Sequence, residues 1–250
     1  MKFLGRLLMV VWKIWFFLVF ASIMILMYPF LLVFLSNRRR YKYAFTCQHI
    51  MSRWISILSG LRLRKTYHIN RNQIPQPCVI VANHSSYLDI VLSYLVLKKY
   101  FVFMAKFELN KAPLFKIFFK DMQISVNRSN IKDAHRAFAR ASEEIDGGHS
   151  VFIFPEGTIG NDNGTLLKFK NGPFKLAIEK QVPILPIVFI GNWKLLQIGG
   201  FFKSYGKPGF SRAIIHKPIE TKGMTDENVV TLREEVHKLF LETLEKENKR

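Results

Sequence analysis

The sequence predicts an α/β fold, in which a mostly parallel central sheet is flanked by helices and preceded by an N-terminal hydrophobic membrane-anchoring helix or hairpin. From about residue 76, short and continuously apolar runs alternate with stretches of helical periodicity, which is typical of parallel strands that helices cover on both faces. Before them lies an uncharged run long enough to cross a bilayer. We therefore expect a membrane anchor over 1–40, an amphipathic linking segment over 41–75 and one globular domain over 76–250.

The anchor is predicted from the run 14–35, which carries no charged residue. At about 1.5 Å per residue, a helix of this run is roughly 33 Å long and covers the hydrocarbon core of a bilayer. The run ends in three arginines, 38–40, rather than at a small-residue cleavage site, so we interpret it as a retained anchor. Basic residues on both sides favour the cytoplasm for both ends. Pro29 leaves two topologies open, a straight span and a re-entrant hairpin.

The charge of the chain indicates an anionic partner. Its 250 residues include 37 Lys and Arg against 18 Asp and Glu, and no acidic residue precedes Asp89. Such a balance is typical of proteins that bind nucleic acid or an acidic membrane surface. Because the charge is densest beside the anchor and no nucleic-acid-binding motif occurs, we expect anionic membrane lipids as partners and no nucleic acid.

The segment 44–58 follows the anchor and has helical periodicity. Its apolar positions are Phe45, Ile50, Met51, Trp54, Ile55 and Leu58. Two interpretations fit this pattern: an amphipathic helix at the membrane interface, or the first helix of the globular core.

The globular domain is predicted to contain six strands and two clear amphipathic helices. The strands are the apolar runs 78–82, 100–105, 122–126, 150–154, 183–190 and 212–216. One helix covers 131–145, where apolar residues recur every three or four positions until Gly147 and Gly148 close it. The same spacing predicts a final helix over 229–244.

Two polar clusters follow predicted strands, where reactive groups of α/β domains usually lie. They are NHSSYLD (83–89) and PEGT (155–158). His84 and Asp89 would diverge by about 140° on one regular helix, so they meet only if His84 lies in the turn before it. A carboxylate bonded to one imidazole nitrogen makes the other nitrogen a better base. The alternative is that Asn83 or Ser85 caps the helix and His84 makes only a loop contact.

Several other chemistries are disfavoured by the residue patterns. Cys47 and Cys78 lack the spacing of a disulfide framework or a zinc site, and no second histidine accompanies His84 at metal-ligand spacing. No GxSxG nucleophile motif occurs, and the glycines of 200–207 do not have P-loop spacing. We therefore expect no metal.

The order of the motifs resembles the glycerolipid acyltransferase family. The matching blocks are IVANHSSYLDI, then FMAKFELNKAPLF (103–115), ISVNR (124–128), FPEGT (154–158) and VPILPI (182–187). The resemblance covers about residues 70–220, and the pairing of HxxxxD with FPEGT some seventy residues later is specific. It implies that the domain over 76–250 is an acyltransferase domain.

The resemblance also implies roles for individual residues. His84 is expected to be the general base that takes the proton of a lysolipid hydroxyl, and Asp89 to orient it. Glu156, Gly157 and Thr158 are expected to help bind the acceptor, with the backbone of Gly157 as a candidate oxyanion donor. Lys106 and Arg128 match the basic positions for the acceptor phosphate.

One position departs from the family pattern. The family usually continues EGT with an arginine that contacts phosphate, whereas this chain has Ile159. Losing one charge-assisted contact costs on the order of 1.5 to 3 kcal/mol unless another cation replaces it. Lys168, Lys170 and Arg128 are candidates for that replacement.

The implied function is transfer of a fatty acyl group to 1-acyl-sn-glycerol 3-phosphate, giving phosphatidate for phospholipid biosynthesis at the cytoplasmic face of the inner membrane. No cofactor is expected beyond the thioester co-substrate, which is acyl-CoA or an acyl carrier protein. Two alternatives stay open. One is an acyltransferase for a different lyso acceptor, such as a lysophospholipid or an acylated amino acid. The other is a non-catalytic lipid-binding membrane protein.

Overall fold

The computed structural model describes residues 3–107, 116–119, 122–127, 130–160 and 164–248. They form six α-helices and seven strands. The helices are α1 (Phe3–Leu35), α2 (Tyr41–Leu58), α3 (Leu88–Val96), α4 (Ile131–Asp146), α5 (Gly172–Glu179) and α6 (Val229–Asn248). The strands are β1 (Leu61–Tyr67), β2 (Val79–Ala82), β3 (Phe101–Lys106), β4 (Ile124–Val126), β5 (Ser150–Ile153), β6 (Ile184–Ile190) and β7 (Gly209–Ile215).

The strands form one sheet in the order β1-β7-β6-β2-β5-β3-β4. Neighbouring strands are parallel except for β6 and β7, which pair antiparallel. This confirms the predicted mostly parallel α/β fold. Strands β2 to β6 therefore end at the same end of the sheet, and β7 begins there. We call it the carboxyl end of the sheet, and β2 lies at its centre.

Helices cover both faces of the sheet. The connection through α3 runs from β2 towards β3, whereas α4 and α5 connect strands in the opposite direction along the sheet. Because such crossovers are right-handed, α3 lies on one face and α4 and α5 on the other. Helix α2 packs against α3 and α1, and α6 packs against α5. The N-terminal helices thus share a face with α3.

Six of the seven strands coincide with the predicted apolar runs within a few residues. The exception is β1, which lies in the segment predicted as a link. Among the described strands it lies at the edge and pairs with β7, and Arg62, Arg64 and Lys65 on it are exposed. A search for continuously apolar runs misses such a strand because it needs to bury little apolar surface.

Helix α1 is continuous through Pro29, so the run 14–35 does not fold back on itself. The reversal comes after it, where α1 and α2 pack antiparallel. At one end, the indole nitrogens of Trp12 and Trp15 donate hydrogen bonds to the carbonyls of Ser59 and Leu58 at 3.0 and 2.8 Å. At the other end, the rings of Phe34 and Tyr43 lie 5.6 Å apart.

One face of α1 packs against the protein, and the other is exposed and apolar. The packed side chains include Phe16, Val19, Ile23, Met24 and Leu31. The exposed ones include Leu8, Trp15, Leu18, Ile25, Leu26, Phe30 and Val33. Among the described residues, Leu4–Leu35 is the one helix long and apolar enough to cross a membrane.

Helix α2 combines the two interpretations of the segment 44–58. Its inner face belongs to the core, where the Phe45 ring contacts Tyr94, Tyr100 and Phe101 with centroids 4.9 to 5.5 Å away. Its outer face exposes Trp54 and Ile57, which are about half accessible. The helix is therefore the first core helix and also presents apolar side chains outward beside α1.

Candidate active site

The first polar cluster begins where β2 leaves the sheet. All four residues of β2 are buried, and the next residue, Asn83, pairs with the backbone of β6 through its side chain. Its amide nitrogen donates to the Phe189 carbonyl at 2.9 Å, and its amide oxygen accepts from the Phe189 N–H at 2.7 Å. The side chain thus continues the pairing of β2 with β6 and fixes the direction in which His84 follows.

His84 and Asp89 meet in this cluster. The imidazole Nδ1 lies 3.0 Å from Oδ2 of Asp89, whose side chain is fully buried. The same oxygen accepts hydrogen bonds from the backbone N–H groups of Ser85 and Ser86 at 2.6 and 2.8 Å. Asp89 therefore satisfies the free N–H groups at the entry of α3. Neither Asn83 nor Ser85 caps this helix, because the Asn83 side chain is bound to β6 and the Ser85 hydroxyl has no hydrogen-bond partner among the described residues.

The second oxygen of Asp89 is held from a distant part of the chain. The amide nitrogen of Asn192, just beyond β6, donates to Oδ1 at 2.6 Å. The amide oxygen of Asn192 in turn accepts from the Ser211 hydroxyl at 2.5 Å, which fixes the orientation of the amide. All three side chains are buried. Four donors thus surround one buried carboxylate.

Asn192 was not among the residues predicted from the sequence. It follows Gly191 directly after an apolar strand, the same kind of position that drew attention to 83–89 and 155–158. However, it stands in no motif quoted for the family resemblance. A search for every polar residue that follows a buried strand would have found it.

The imidazole of His84 is held in place by one contact on its face and one hydrogen bond at its edge. Its ring stacks on Phe154 with centroids 4.0 Å apart and an interplanar angle of 13°. Because the Asp89 carboxylate accepts from Nδ1, the proton of the neutral ring lies on Nδ1 and Nε2 carries the lone pair. Within the described residues, Nε2 has no hydrogen-bond partner. It is the atom available to receive a proton.

Glu156 braces the loop that carries His84. Its Oε1 accepts from the backbone N–H of His84 at 2.6 Å, and its Oε2 accepts from the N–H of Leu167 at 2.9 Å. The Gly160 N–H adds a bond to the His84 carbonyl at 2.8 Å. Burial raises the pKa of Glu156 to about 7, although both backbone hydrogen bonds oppose this shift. Both carboxylate oxygens are therefore engaged with the protein itself.

The other two residues of the EGT cluster lie in a turn. Gly157 has a φ of +80°, which favours glycine. Its N–H donates to the carbonyl of Phe154 at 3.1 Å, within the turn. That the Gly157 backbone binds an oxyanion stays a prediction, and in the present arrangement this N–H is used within the turn. Thr158 is exposed, and Ile159 is half-buried.

The predicted phosphate-binding cations are only partly within the described residues. Lys106 is the last residue of β3, so its backbone lies at the carboxyl end of the sheet. Arg128 lies outside the described residues. Lys168 and Lys170 are exposed on the segment that leads into α5. The Lys170 N–H donates to the Pro155 carbonyl at 2.8 Å, which brings this segment beside the EGT turn.

Both cysteines are buried thiols away from these clusters. Burial raises the pKa of Cys78 to about 11, so its thiol stays protonated near neutral pH. Within the described ranges, no three His, Cys, Asp or Glu side chains are close enough together to hold a metal ion.

The sequence matches known proteins across this region. The sequence model of the acyltransferase family matches residues 64–190. The chain is 33% identical over 206 residues to a chloroplastic 1-acyl-sn-glycerol-3-phosphate acyltransferase of Brassica napus, covering 81% of this chain and 57% of that protein. It is 34% identical over 178 residues to 1-acyl-sn-glycerol-3-phosphate acyltransferase beta of Homo sapiens, covering 69% of this chain and 62% of that protein. The chain thus spans less than two thirds of these relatives.

A solved structure has the same fold. The crystal structure of the 1-acyl-sn-glycerophosphate acyltransferase PlsC from Thermotoga maritima superimposes with a TM-score of 0.80 over 98% of both chains, at 24% sequence identity. This likeness extends to the N-terminal helices because it covers nearly the whole chain.

Proposed function

Because the chain belongs to the acyltransferase family, we propose that it transfers a fatty acyl group from a thioester to 1-acyl-sn-glycerol 3-phosphate and so makes phosphatidate. The observation that carries this proposal is the pair formed by His84 and the buried Asp89, 3.0 Å apart, which leaves Nε2 of the imidazole free to act as a base. The two relatives named above carry this activity in their names, which supports the same choice of acceptor.

The chemistry needs one base and no covalent enzyme intermediate. Nε2 of His84 takes the proton of the acceptor hydroxyl while the hydroxyl oxygen attacks the thioester carbonyl. The carbon–sulfur bond of the resulting tetrahedral intermediate then breaks, and the imidazolium returns its proton to the leaving thiolate. The products are an ester and a free thiol. Asp89 stabilises the imidazolium in between, because its charge lies against Nδ1. This sequence of steps requires no cofactor.

Glu156 acts on the position of His84 rather than on the acceptor. One carboxylate oxygen holds the His84 N–H and the other holds the segment at Leu167. We therefore assign acceptor binding in this cluster to the exposed side of the turn, which includes Thr158.

Lys106 and Arg128 are proposed to bind the acceptor phosphate, because both match the basic positions of the family motifs and Lys106 ends β3 at the carboxyl end of the sheet where His84 lies. Lys106→Ala should raise the half-saturating concentration of the acceptor more than that of the acyl donor. A change confined to the donor would contradict this role.

We also propose that α1 and α2 hold the protein at the cytoplasmic face of the membrane. Since one side of α1 packs against the protein, lipid would contact its other side and the outer face of α2. The arginines of Arg38–Arg40 follow directly and are exposed, which suits anionic lipid headgroups.

Vesicle flotation tests this attachment. With phosphatidylglycerol vesicles, Trp54→Glu/Ile57→Glu should reduce the bound fraction severalfold, because two exposed apolar side chains are replaced by charges. Val230→Glu is the matched control, since Val230 is 50% exposed on α6 and Trp54 is 51% exposed on α2. An equal loss in both proteins would contradict the proposed surface.

The acceptor is identified by mass spectrometry of the products. The purified protein is given acyl-CoA or acyl carrier protein together with lysophosphatidate, other lysophospholipids and an acylated amino acid. We expect phosphatidate as the main product. A different acylated lipid would assign another acceptor and give Ile159 a part in that choice. The absence of any product with both donors would favour the non-catalytic lipid-binding alternative.

A further inference from the structure

A basic cavity lies at the carboxyl end of the sheet beside the candidate active site. It has a volume of about 360 Å³ and lies between the end of β6 and the start of β7. Its cationic lining residues are Lys194, Lys207 and Arg212. None of the proposed catalytic or acceptor-binding residues lines it.

The positive charge of this cavity is not balanced by the protein. Its one acidic lining residue, Glu247, is already paired with Arg212. Lys194 and Lys207 are exposed and form no ion pair with a described carboxylate. Two more guanidinium groups lie nearby, because Arg64 and Arg62 stand over the ring of the lining residue Phe210 at 4.3 and 5.8 Å. Such a cavity suits a ligand with phosphate groups.

The cavity is connected to the catalytic pair through a single loop. Gly191 and Leu195 line the cavity. Between them in the sequence lies Asn192, whose amide nitrogen donates a hydrogen bond to Asp89 at 2.6 Å. The Leu196 carbonyl accepts from the Ser86 hydroxyl at 2.6 Å, at the entry of α3. One wall of the cavity is therefore also the brace of the candidate active site.

The strand order separates this cavity from the proposed binding site of the acceptor phosphate. His84 follows the central strand β2, and Lys106 ends β3 on one side of it. The cavity lies on the other side, at β6 and β7. An acceptor phosphate bound on the β3 and β4 side cannot also occupy the cavity. The cavity is therefore free for the phosphate of a second substrate, such as the acyl donor.

We propose that this cavity binds the phosphate end of the phosphopantetheine arm of the acyl donor, with Lys194 and Lys207 as its principal contacts. This inference rests on the proposed function. The arm carries the thioester at its other end. When its phosphate is held at β6 and β7, the thioester carbonyl can therefore extend towards His84. The same arm occurs in acyl-CoA and in acyl carrier protein, which explains how one cavity serves either donor.

The test compares Lys194→Gln/Lys207→Gln with the wild type in steady-state assays with three donors: acyl-CoA, acyl carrier protein and acyl-phosphopantetheine. Loss of two charge-assisted contacts should raise the KM of each donor by about tenfold or more. The KM of lysophosphatidate should stay within about twofold. Lys217→Gln/Lys222→Gln is the matched control, since both lysines are exposed and follow the far end of β7.

Each outcome has a distinct meaning. A KM increase with acyl-phosphopantetheine supports the arm phosphate as the ligand. An increase with acyl-CoA but not with acyl-phosphopantetheine would overturn the proposal, because the ligand of the cavity would then be a phosphate of the nucleotide. An increase only with acyl carrier protein, an equal increase for lysophosphatidate, or no change with any donor would overturn the proposal. Absence of turnover in the wild type would instead overturn the proposed function.

Discussion

Two buried carboxylates lie at the carboxyl end of the sheet, Asp89 after β2 and Glu156 after β5, and their surroundings differ. Asp89 accepts from four donors, which are the imidazole of His84, the N–H groups of Ser85 and Ser86, and the amide of Asn192. Glu156 accepts from two backbone N–H groups. The first carboxylate lies against an imidazole and is surrounded by donors. The second connects two pieces of backbone.

The two carboxylates therefore have different tasks: Asp89 takes part in proton transfer through His84, and Glu156 supports the backbone. Burial of Glu156 is offset by only two hydrogen bonds, and the charge of Asp89 lies nearby, so its pKa rises to about 7. A carboxylate used only as a brace tolerates this loss of charge, because its oxygens still meet the same N–H groups. Asp89, which orients the base, does not tolerate a loss of charge, because the imidazolium that forms during transfer needs a negative charge beside it.

Of the substitutions at the two carboxylates and their partners, Asp89→Asn is expected to have the largest effect. Replacing the carboxylate by an amide removes the charge beside Nδ1. The amide nitrogen also cannot accept a hydrogen bond from the surrounding donors. We expect the rate of phosphatidate formation to fall by about 10³-fold. The thermal midpoint of the same sample serves as the control for folding. A folded variant within tenfold of the wild-type rate would remove the distinction between the two carboxylates.

Asn192→Ala should have the next largest effect. It removes one of the four donors to Asp89 and loosens the carboxylate without touching His84, so kcat should fall about 10- to 100-fold with little change in the KM of either substrate. In the Asp89→Asn background the same change should add almost nothing, because both substitutions act through one pair. An equally large extra loss in the double variant would indicate that Asn192 acts only on the fold.

Glu156→Gln should act mainly on stability and on its pH dependence. The pKa of Glu156 is raised above its ordinary value, so its contribution to stability is fully present below about pH 4.5 and is lost as pH rises through about 7. The unfolding free energy of the wild type should therefore fall relative to that of the variant between about pH 5 and pH 7.5. The slope should reach about 1 kcal/mol per pH unit at most.

Denaturant unfolding at several pH values measures this difference. Parallel curves for the wild type and Glu156→Gln would show that the carboxylate is not held in the buried state described above. The rate of phosphatidate formation should fall less in this variant than in Asp89→Asn.

Local patterns in the sequence were sufficient for most of the sheet and for the pairing of His84 with Asp89. The buried strands are continuously apolar, and the two residues lie five positions apart in one turn and helix. Strand β1 was not predicted because its exposed cations interrupt the apolar pattern. These features depend on the residue types found within a few positions of one another in the sequence.

The parts that could not be predicted depend on contacts across the chain. Asn192 reaches Asp89 from 103 positions away, and Glu156 reaches the His84 backbone from 72 positions away. Nothing in the EGT motif distinguishes a carboxylate that faces a substrate from one that accepts two backbone hydrogen bonds. The Gly157 N–H was likewise expected to face an oxyanion, whereas the turn itself uses it.

The rate of acyl transfer by His84→Ala tests most directly whether His84 is the base. With a saturating acyl donor and lysophosphatidate in detergent, we expect phosphatidate from the wild type and a rate lower by about 10³-fold or more from the variant, whose fold is checked by its thermal midpoint. A folded His84→Ala protein that makes phosphatidate at a rate within tenfold of the wild type would contradict the assignment of His84 as the base.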